Sequence, residues 1–265
     1  EAIWTKAPDG CEIGMEACAG AHHWARRLSE FGFKVKLIPP QFVTPYVKSS
    51  KNDANDAEEI CESMSRPNMR FVKAKSVEQQ DIQAIHRVRS ELMSQRTAKI
   101  NQIRGLVAEY GLVAPQQAES LRKALPLWLE DAENGLTPRF RHLLSGLSND
   151  LDYLYKRIAG LDKDIKEIAN SDPMAVRLQQ LRGVGPLVAT ALIASVGDGQ
   201  QFAKGRQMAA AIGLTPKQFS SGGKDKLLGI SKRGDAYLRT ILIQGARSAI
   251  YKAKMRDDKL SVWMT

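Results

Sequence analysis

The chain has 265 residues, of which 43% are hydrophobic and 26% charged, and its formal net charge is +10 at pH 7. This length and composition predict a soluble globular protein of about two domains, and the positive charge indicates a polyanionic partner such as nucleic acid. No apolar run approaches the ~20 residues of a membrane helix, and Cys11, Cys18 and Cys61 form no CxxC pair. These features argue against a membrane span and a zinc site, and we expect a cytoplasmic protein with reduced thiols.

Residues 11–65 have the pattern of an α/β unit. The segments "CEIGME" and "KVKLI" predict two short strands, and a helix capped by Asn52 or Asp53 follows the second strand. Between the strands, apolar residues at three- and four-residue spacing predict a helix with its core face at Ala21, Trp24, Leu28 and Phe31. Strands that alternate with helices predict parallel pairing with a right-handed crossover.

Residues 76–170 predict long paired helices. One heptad seam consists of Leu147, Leu151, Leu154, Ile158, Leu161, Ile165 and Ile168. A looser stripe that could pair with it consists of Ile82, Ile85, Val88, Leu92, Ile100, Ile103 and Leu106. We interpret 112–146 as the turn region between the two helices. The third zone, 174–250, is helical, basic and rich in Gly and Ala, so the fold class is α/β plus α.

An acidic group could hold a metal ion. Glu16 ends the first predicted strand, and Asp53 and Asp56 are three residues apart, which places them on one helix face. Three converging carboxylates would suit Mg²⁺, and two such ions can hold the attacking and leaving oxygens of a phosphodiester. The alternative is that Asp53 only caps a helix and Asp56 is a surface acid.

The segment "LRGVGPLVATALIASVGD" fits a helix-hairpin-helix. Its turn contains Gly183 and Gly185, where backbone N–H groups and a helix N-terminus could approach a DNA phosphate. The alternative is a plain helical turn in which glycine serves packing.

Two serines lie beside two glycines in "SSGGKDKLLGISKRGD". Ser220 and Ser221 could supply a nucleophile, because the surrounding cations would neutralise the charge that develops at an attacked phosphate. Those cations are Arg239 and five residues that we expect to bind nucleic acid: Lys217, Lys224, Lys226, Lys232 and Arg233. Only Asp225 and Asp235 oppose them. No histidine is near in sequence, which argues against an acyl-transfer triad. Composition alone favours the other interpretation, a flexible phosphate-binding loop.

These motifs together resemble one family. "GMEACAGAHHWARRL", "KNDANDAEEICE", "LRGVGPLVATALIASVGD" and "SSGGKDKLLGISKRGDAYLRT" are similar to segments of the DEDD-type insertion-sequence transposases, the bridge-RNA-guided serine recombinases of bacterial mobile elements. The resemblance implies a RuvC-like domain of ribonuclease-H fold at 1–70, a helical coiled-coil linker at 71–172 and a serine transposase domain at 173–265. The resemblance extends over nearly the whole chain.

The resemblance also implies an activity and a site. Family members act as dimers that pair into tetramers, and a noncoding guide RNA selects target and donor DNA. Their acids correspond to Glu16, Asp53 and Asp56 with Mg²⁺, and their nucleophile to Ser221, with Ser220 as the alternative. The family's first acid has no counterpart here, so we expect it on a strand before residue 1, in a longer protein. The competing functions are a structure-specific metal-dependent nuclease and a non-catalytic nucleic-acid-binding protein.

A basic stripe from Arg70 to Arg104 completes the predictions. This stretch contains eight Lys or Arg residues but only three Asp or Glu residues. It is either the solvated face of a helix or a surface that binds nucleic acid. We expect the guide RNA to bind Lys73, Lys75, Arg87, Arg89, Arg96 and Arg104, and DNA to bind mainly the third zone.

Overall fold

The N-terminal strands form a small parallel sheet. The structure, a computed structural model, describes residues 8, 10–43 and 52–264. The first elements are β1 (Glu12–Glu16), α1 (Ala21–Glu30), β2 (Lys34–Ile38), α2 (Pro40–Val43) and α3 (Asp53–Met64). β1 and β2 pair in parallel with Glu16 opposite Ile38. The predicted strands, their intervening helix and their parallel pairing are confirmed.

The buried face of α1 differs from the predicted one. Ala21, Ala25 and Leu28 are buried, whereas Trp24 is 49% and Phe31 53% exposed. The buried residues follow four- and three-residue steps, and two alanines on that face let the helix lie close to the sheet. The large rings of Trp24 and Phe31 therefore remain on the solvent side, and their assignment to the core was wrong.

α3 begins at a polar cap and packs on the sheet. The Asn52 side chain accepts a hydrogen bond from the Asn55 backbone N–H at 2.8 Å, so Asn52 rather than Asp53 is the cap. A side chain at Gly14 would overlap Ile60 and Met64, so α3 lies directly against β1 at this glycine.

Residues 79–265 form a second compact unit, and 1–78 form the first. The second unit contains α4 (Val77–Ala108, which begins in the first unit), α5 (Ala118–Glu130), α6 (Pro138–Ser171), α7 (Pro173–Leu178), α8 (Pro186–Val196), α9 (Gly205–Ala211), β3 (Pro216–Gln218), β4 (Leu227–Ile230), α10 (Ala236–Ala253) and α11 (Lys259–Met264). The described chain is thus mainly helical with two small sheets, in agreement with the predicted class. No helix within the described residues is long and apolar enough to cross a membrane.

α4 and α6 pack along the predicted seam. Leu92 of α4 packs with Leu154 and Ile158 of α6, and further along Ile103 joins the same core as Leu147. Salt bridges that join Arg89 to Asp162 and Lys99 to Asp150 show that the two helices run antiparallel. Val88, predicted for the stripe, is 44% exposed.

The segment 112–146 is more ordered than a turn region. It contains α5 and the beginning of α6, so its interpretation as a turn was wrong. Leu121 and Leu125, four residues apart on α5, are buried in the core that closes this end of the helix pair.

A buried histidine joins α4 to the third zone. The Thr190 hydroxyl donates to the Pro186 carbonyl at 2.8 Å, so His86 Nε2–H donates to Thr190 Oγ1 and His86 Nδ1 accepts from the Tyr237 hydroxyl. These bonds connect α4, α8 and α10. Burial, with a smaller contribution from the Arg89 charge, lowers the pKa of His86 to about 4, so the ring is neutral near pH 7.

Candidate functional site

The predicted nucleophile lies at the tip of a β-hairpin. β3 and β4 pair antiparallel, and the Lys224 N–H donates to the Ser221 carbonyl at 3.1 Å. Gly222 and Gly223 have φ of +59° and +77°, as the two central positions of a type I′ turn require. The segment predicted as a flexible loop therefore has a defined backbone. The sequence signal was present, because Gly-Gly between two short extended segments indicates this hairpin.

The two serines differ in their partners. The Gln218 side-chain amide donates to Ser220 Oγ at 2.8 Å and to Asp225 Oδ1 at 3.3 Å. Ser221 is exposed, and its hydroxyl forms no hydrogen bond with another described residue. The Ser221 hydroxyl is therefore available to a ligand, whereas the Ser220 hydroxyl is already used within the hairpin.

Cations surround the hairpin without acidic partners. Within the described part of the chain, none of the five predicted side chains forms an ion pair, and all are exposed: Lys217, Lys224, Lys226, Lys232 and Arg233. Uncompensated charge of this kind attracts a polyanion.

Arg239 fixes the base of the hairpin. It was predicted as one of the surrounding cations but not as a residue that binds nucleic acid. Its guanidinium donates to the Ile212 carbonyl at 2.9 Å and to the Arg233 carbonyl at 3.1 Å. Asp235 caps α10 by accepting from the Leu238 N–H at 2.9 Å. The hairpin is thereby joined to the start of α10. The Asp three residues before Leu238 is a recognisable cap signal, but the role of Arg239 depends on carbonyls distant in sequence.

The three predicted acids share one side of the N-terminal sheet. Side chains alternate along a strand, so Glu16 points to the same face as Gly14, where α3 packs. Asp53 and Asp56 precede Ile60 by seven and four residues, which places them on the sheet-facing stripe of α3. Their oxygen ligands and common side suit Mg²⁺.

The acids do not form a ready-made cluster. Among residues 8, 10–43 and 52–264, no three His, Cys, Asp or Glu side chains are close enough to hold one ion. The predicted convergence of Glu16, Asp53 and Asp56 to within a few ångströms is therefore absent from the structure. Carboxylates repel one another at short range, so three of them do not converge by themselves. Their assignment as metal ligands stays a prediction.

The two glycines before α8 have different roles. Gly183, at φ +83°, meets Gly245 of α10 backbone to backbone, and a side chain on either glycine would overlap the other's carbonyl. Gly183 thus serves helix packing, which was the alternative interpretation. Gly185 caps α8 without a side-chain bond and borders open space. Its surroundings leave room for a ligand, and its role in phosphate binding stays a prediction.

Half of the basic stripe is used inside the protein. Arg89 binds Asp162 at 2.5 Å, the Arg96 guanidinium lies 5.2 Å from the Tyr155 ring centroid, and Arg104 donates to the carbonyls of Pro115 and Gln117. The stripe is therefore less positive than the count of three acids within it indicated, because α6 supplies Asp162 to Arg89 and Asp150 to Lys99.

The other stripe residues remain nearer to solvent. Arg87 and Lys73 are exposed, and Lys75 is partly buried. The Lys75 backbone N–H donates to His22 Nδ1 at 3.2 Å, and its carbonyl accepts from Arg26 at 2.6 Å. The Lys75 backbone thus connects the end of the first unit to α1.

Comparison with known proteins identifies the family. Residues 175–260 match the model of the IS116/IS110/IS902 transposase family, and residues 2–112 match that of the IS110-type DEDD transposases. The chain belongs to this family. It is 48% identical over 255 residues to the transposase of insertion sequence IS1111A from Coxiella burnetii, covering 96% of this chain and 70% of that protein.

Two further relatives agree. The chain is 48% identical over 255 residues to a probable family 20 transposase of Pseudomonas aeruginosa, and 39% identical over 254 residues to the IS1328 transposase of Yersinia enterocolitica. Each match covers 96% of this chain and 75% of the relative. This transposase is therefore a DNA-processing enzyme, and its hairpin and acids lie within the two matched regions.

Proposed function

We propose that this transposase cuts and rejoins DNA through Ser221, in an RNA-guided reaction that moves a bacterial insertion sequence. One observation carries the proposal: the Ser221 hydroxyl is exposed and without a hydrogen-bond partner in the described chain, at the tip of a defined hairpin rich in unpaired cations. A preorganised hydroxyl beside positive charge suits attack on a phosphodiester.

The step conserves the energy of the broken bond. Ser221 Oγ bonds to phosphorus while the bond from phosphorus to the 3′ oxygen breaks, which leaves a 5′-phosphoserine and a free 3′ hydroxyl. The serine proton passes to water, and the departing oxygen gains a proton. Rejoining reverses the exchange with a new 3′ hydroxyl, so no nucleotide cofactor is consumed. Lys224 and Lys226 stabilise the charge on the phosphate during both steps.

The acids of the N-terminal unit are proposed to bind the metal ion. Glu16, Asp53 and Asp56 would hold Mg²⁺, which when bound polarises the phosphate and stabilises the oxygens of the exchange. They lie on one side of the N-terminal sheet, which supports this assignment. The membership of residues 2–112 in the DEDD transposases supports it independently.

The guide RNA and the oligomer follow from the family resemblance. RNA would bind exposed cations such as Lys73 and Arg87, while DNA would bind the hairpin and Gly185. We expect target and donor DNA to be held by a dimer or tetramer. Sequencing the nucleic acid that co-purifies with the protein tests the RNA: a defined RNA encoded beside the transposase gene is expected, and random cellular RNA would contradict guidance.

A trapped adduct tests the chemistry. Labelled donor DNA incubated with the protein and Mg²⁺ should give a protein–DNA adduct that survives denaturation. Ser221→Ala should abolish it while DNA binding is retained, and Ser220→Ala, the matched control, should keep it. Cleavage without an adduct in the wild type would indicate a metal-dependent nuclease instead. DNA binding with neither cleavage nor adduct would indicate a binding protein.

A further inference from the structure

A groove lies in the second unit, between the turn before α8 and the second half of α10. Its volume is about 740 Å³. It is lined by 179–185, Leu187 and Val188, by Arg89 and Met93 of α4, and by residues of α10 and the turn after it. Gly183 and Gly245, whose backbones are in contact, both line the groove. Ser221 and the β-hairpin do not line it.

The walls of the groove are cationic. Four basic side chains line it and no acidic side chain does: Arg89, Arg182, Lys252 and Arg256. Asp162 and Asp258 balance Arg89 and Arg182 from outside the lining. Lys252 and Arg256 are exposed and form no ion pair with any described residue. Two uncompensated cations therefore lie on the α10 side.

Apolar side chains also line the groove. They are Met93, Leu187, Val188, Ile241 and Leu181, of which Leu181 is 59% exposed. Gln180, Gln244 and Ser248 add hydrogen-bonding groups to the lining. The lining thus combines apolar, polar and positively charged side chains.

We infer that this groove binds a single-stranded segment of DNA. A duplex presents mainly its charged backbone to a protein groove, so it would not use the apolar side chains of the lining. A single strand offers its phosphates to Lys252 and Arg256. It also offers the apolar faces of its unstacked bases to the aliphatic side chains of the lining. A protein partner would need acidic side chains to meet Lys252 and Arg256, whereas the net charge of +10 already favours a polyanion.

The inference deepens the proposed function without depending on Ser221 chemistry, because the family's action on DNA is enough to supply the strand. α10 relates the two sites. α10 begins at Ala236, shortly after the hairpin. Lys252 lies sixteen residues later, so the helix separates it from Ala236 by about 24 Å. A strand in the groove would therefore be held some distance from the serine, where a displaced strand could be kept apart from the reacting one.

Binding of short oligonucleotides to the full chain tests the site. The probes are labelled oligothymidine of about 16 nucleotides, a duplex of equal length and oligouridine. Lys252→Ala with Arg256→Ala should weaken oligothymidine binding about tenfold and reduce its salt slope by about 1.4, since two phosphate contacts are lost. Arg247→Ala with Lys254→Ala is the matched control, because these cations lie in the same region but do not line the groove. The control should shift binding by less than about twofold.

Three results would overturn the inference. Equal losses in the two double variants would mean that only general charge matters. A larger loss for the duplex than for oligothymidine would assign the groove to double-stranded DNA, and a larger loss for oligouridine would assign it to RNA. The charge-conserving double variant Lys252→Arg with Arg256→Lys should bind oligothymidine like the wild type. A loss in the alanine variant then reflects the missing charge rather than misfolding. Oligothymidine binding requires no strand cleavage, so failure of the serine chemistry leaves this test readable.

Discussion

The basic residues of α4 and those of the β-hairpin look alike in the sequence but differ in the structure. On α4, Arg89, Arg96 and Arg104 are bound to an acid, a ring and two carbonyls of the same chain. On the hairpin, cations such as Lys224 and Lys226 are exposed and have no ion-pair partner in the described chain. The comparison teaches that a run of positive charge indicates a binding surface only where the fold leaves the charge uncompensated. Each prediction below probes this difference.

The largest effect should come from reversing charge on the hairpin. Lys224→Glu with Lys226→Glu should lower DNA affinity about a thousandfold, or about 4 kcal/mol, because phosphate contacts become repulsive. The melting temperature should not change, since neither side chain holds the fold. Anisotropy titrations and thermal melts measure the two quantities. Lys156→Glu with Lys166→Glu on α6 makes the same charge change elsewhere and is the control. An equal loss of DNA affinity in this variant would contradict DNA binding by the hairpin.

Acid should weaken the α4 region through His86. Its pKa is about 4 in the folded protein and 6.5 as the ordinary value, so the unfolded chain binds more protons between these pH values. The free energy of unfolding should therefore fall as the pH drops from about 6.5 toward 4, by on the order of 3 kcal/mol. Denaturant titrations across this range measure the slope. His86→Gln should be less stable at pH 7 but should lose this part of the pH dependence, and an unchanged slope would contradict the assignment.

Removing an arginine already bound on α4 should affect stability rather than binding. Arg104→Met leaves the carbonyls of Pro115 and Gln117 without a charged donor, so unfolding should become easier by about 2 kcal/mol. The salt slope of nucleic-acid binding should not change. Arg87→Met on the same helix is the control and should leave stability unaltered. If Arg104→Met instead weakens RNA binding at constant stability, the residue contacts RNA after all.

The smallest effect should follow the loss of one exposed cation from α4. Arg87→Ala should weaken binding of the co-purifying RNA about threefold and lower its salt slope by at most about one, as expected for a single phosphate contact. Filter binding over a salt series measures both values. Unchanged RNA affinity and salt slope would indicate that Arg87 lies on an ordinary solvated surface that does not bind RNA.

Local patterns predicted most elements of the fold. Both strands of the first sheet, the Asn52 cap and the seam from Leu147 to Ile165 depend on neighbours within a few turns, and the sequence shows them. Predictions failed where contacts join distant segments. Asp162, the partner of Arg89, lies 73 residues away, so the neutralisation of the stripe could not be seen from α4.

The candidate site was predicted unevenly for the same reason. Ser221 and its cations are contiguous in sequence, and the structure places them together on one hairpin. Glu16 and Asp53 belong to different elements, and helical periodicity fixes only the face on which Asp53 lies. Gly183 was given a phosphate-binding role because its partner, Gly245, is 62 positions further along the chain and has no local pattern.

The backbone contact between Gly183 and Gly245 has a consequence for protein engineering. Because a methyl group on either glycine would overlap the opposite carbonyl, neither position can vary alone without moving α10 away from α8. Libraries that aim to change which nucleic acid the groove accepts should keep both glycines and vary wall positions such as Gln244, Ser248 and Lys252. The contact between the two glycines then keeps the backbone of the groove fixed. The nucleic-acid specificity of the groove can be redesigned through its side chains without changing that backbone.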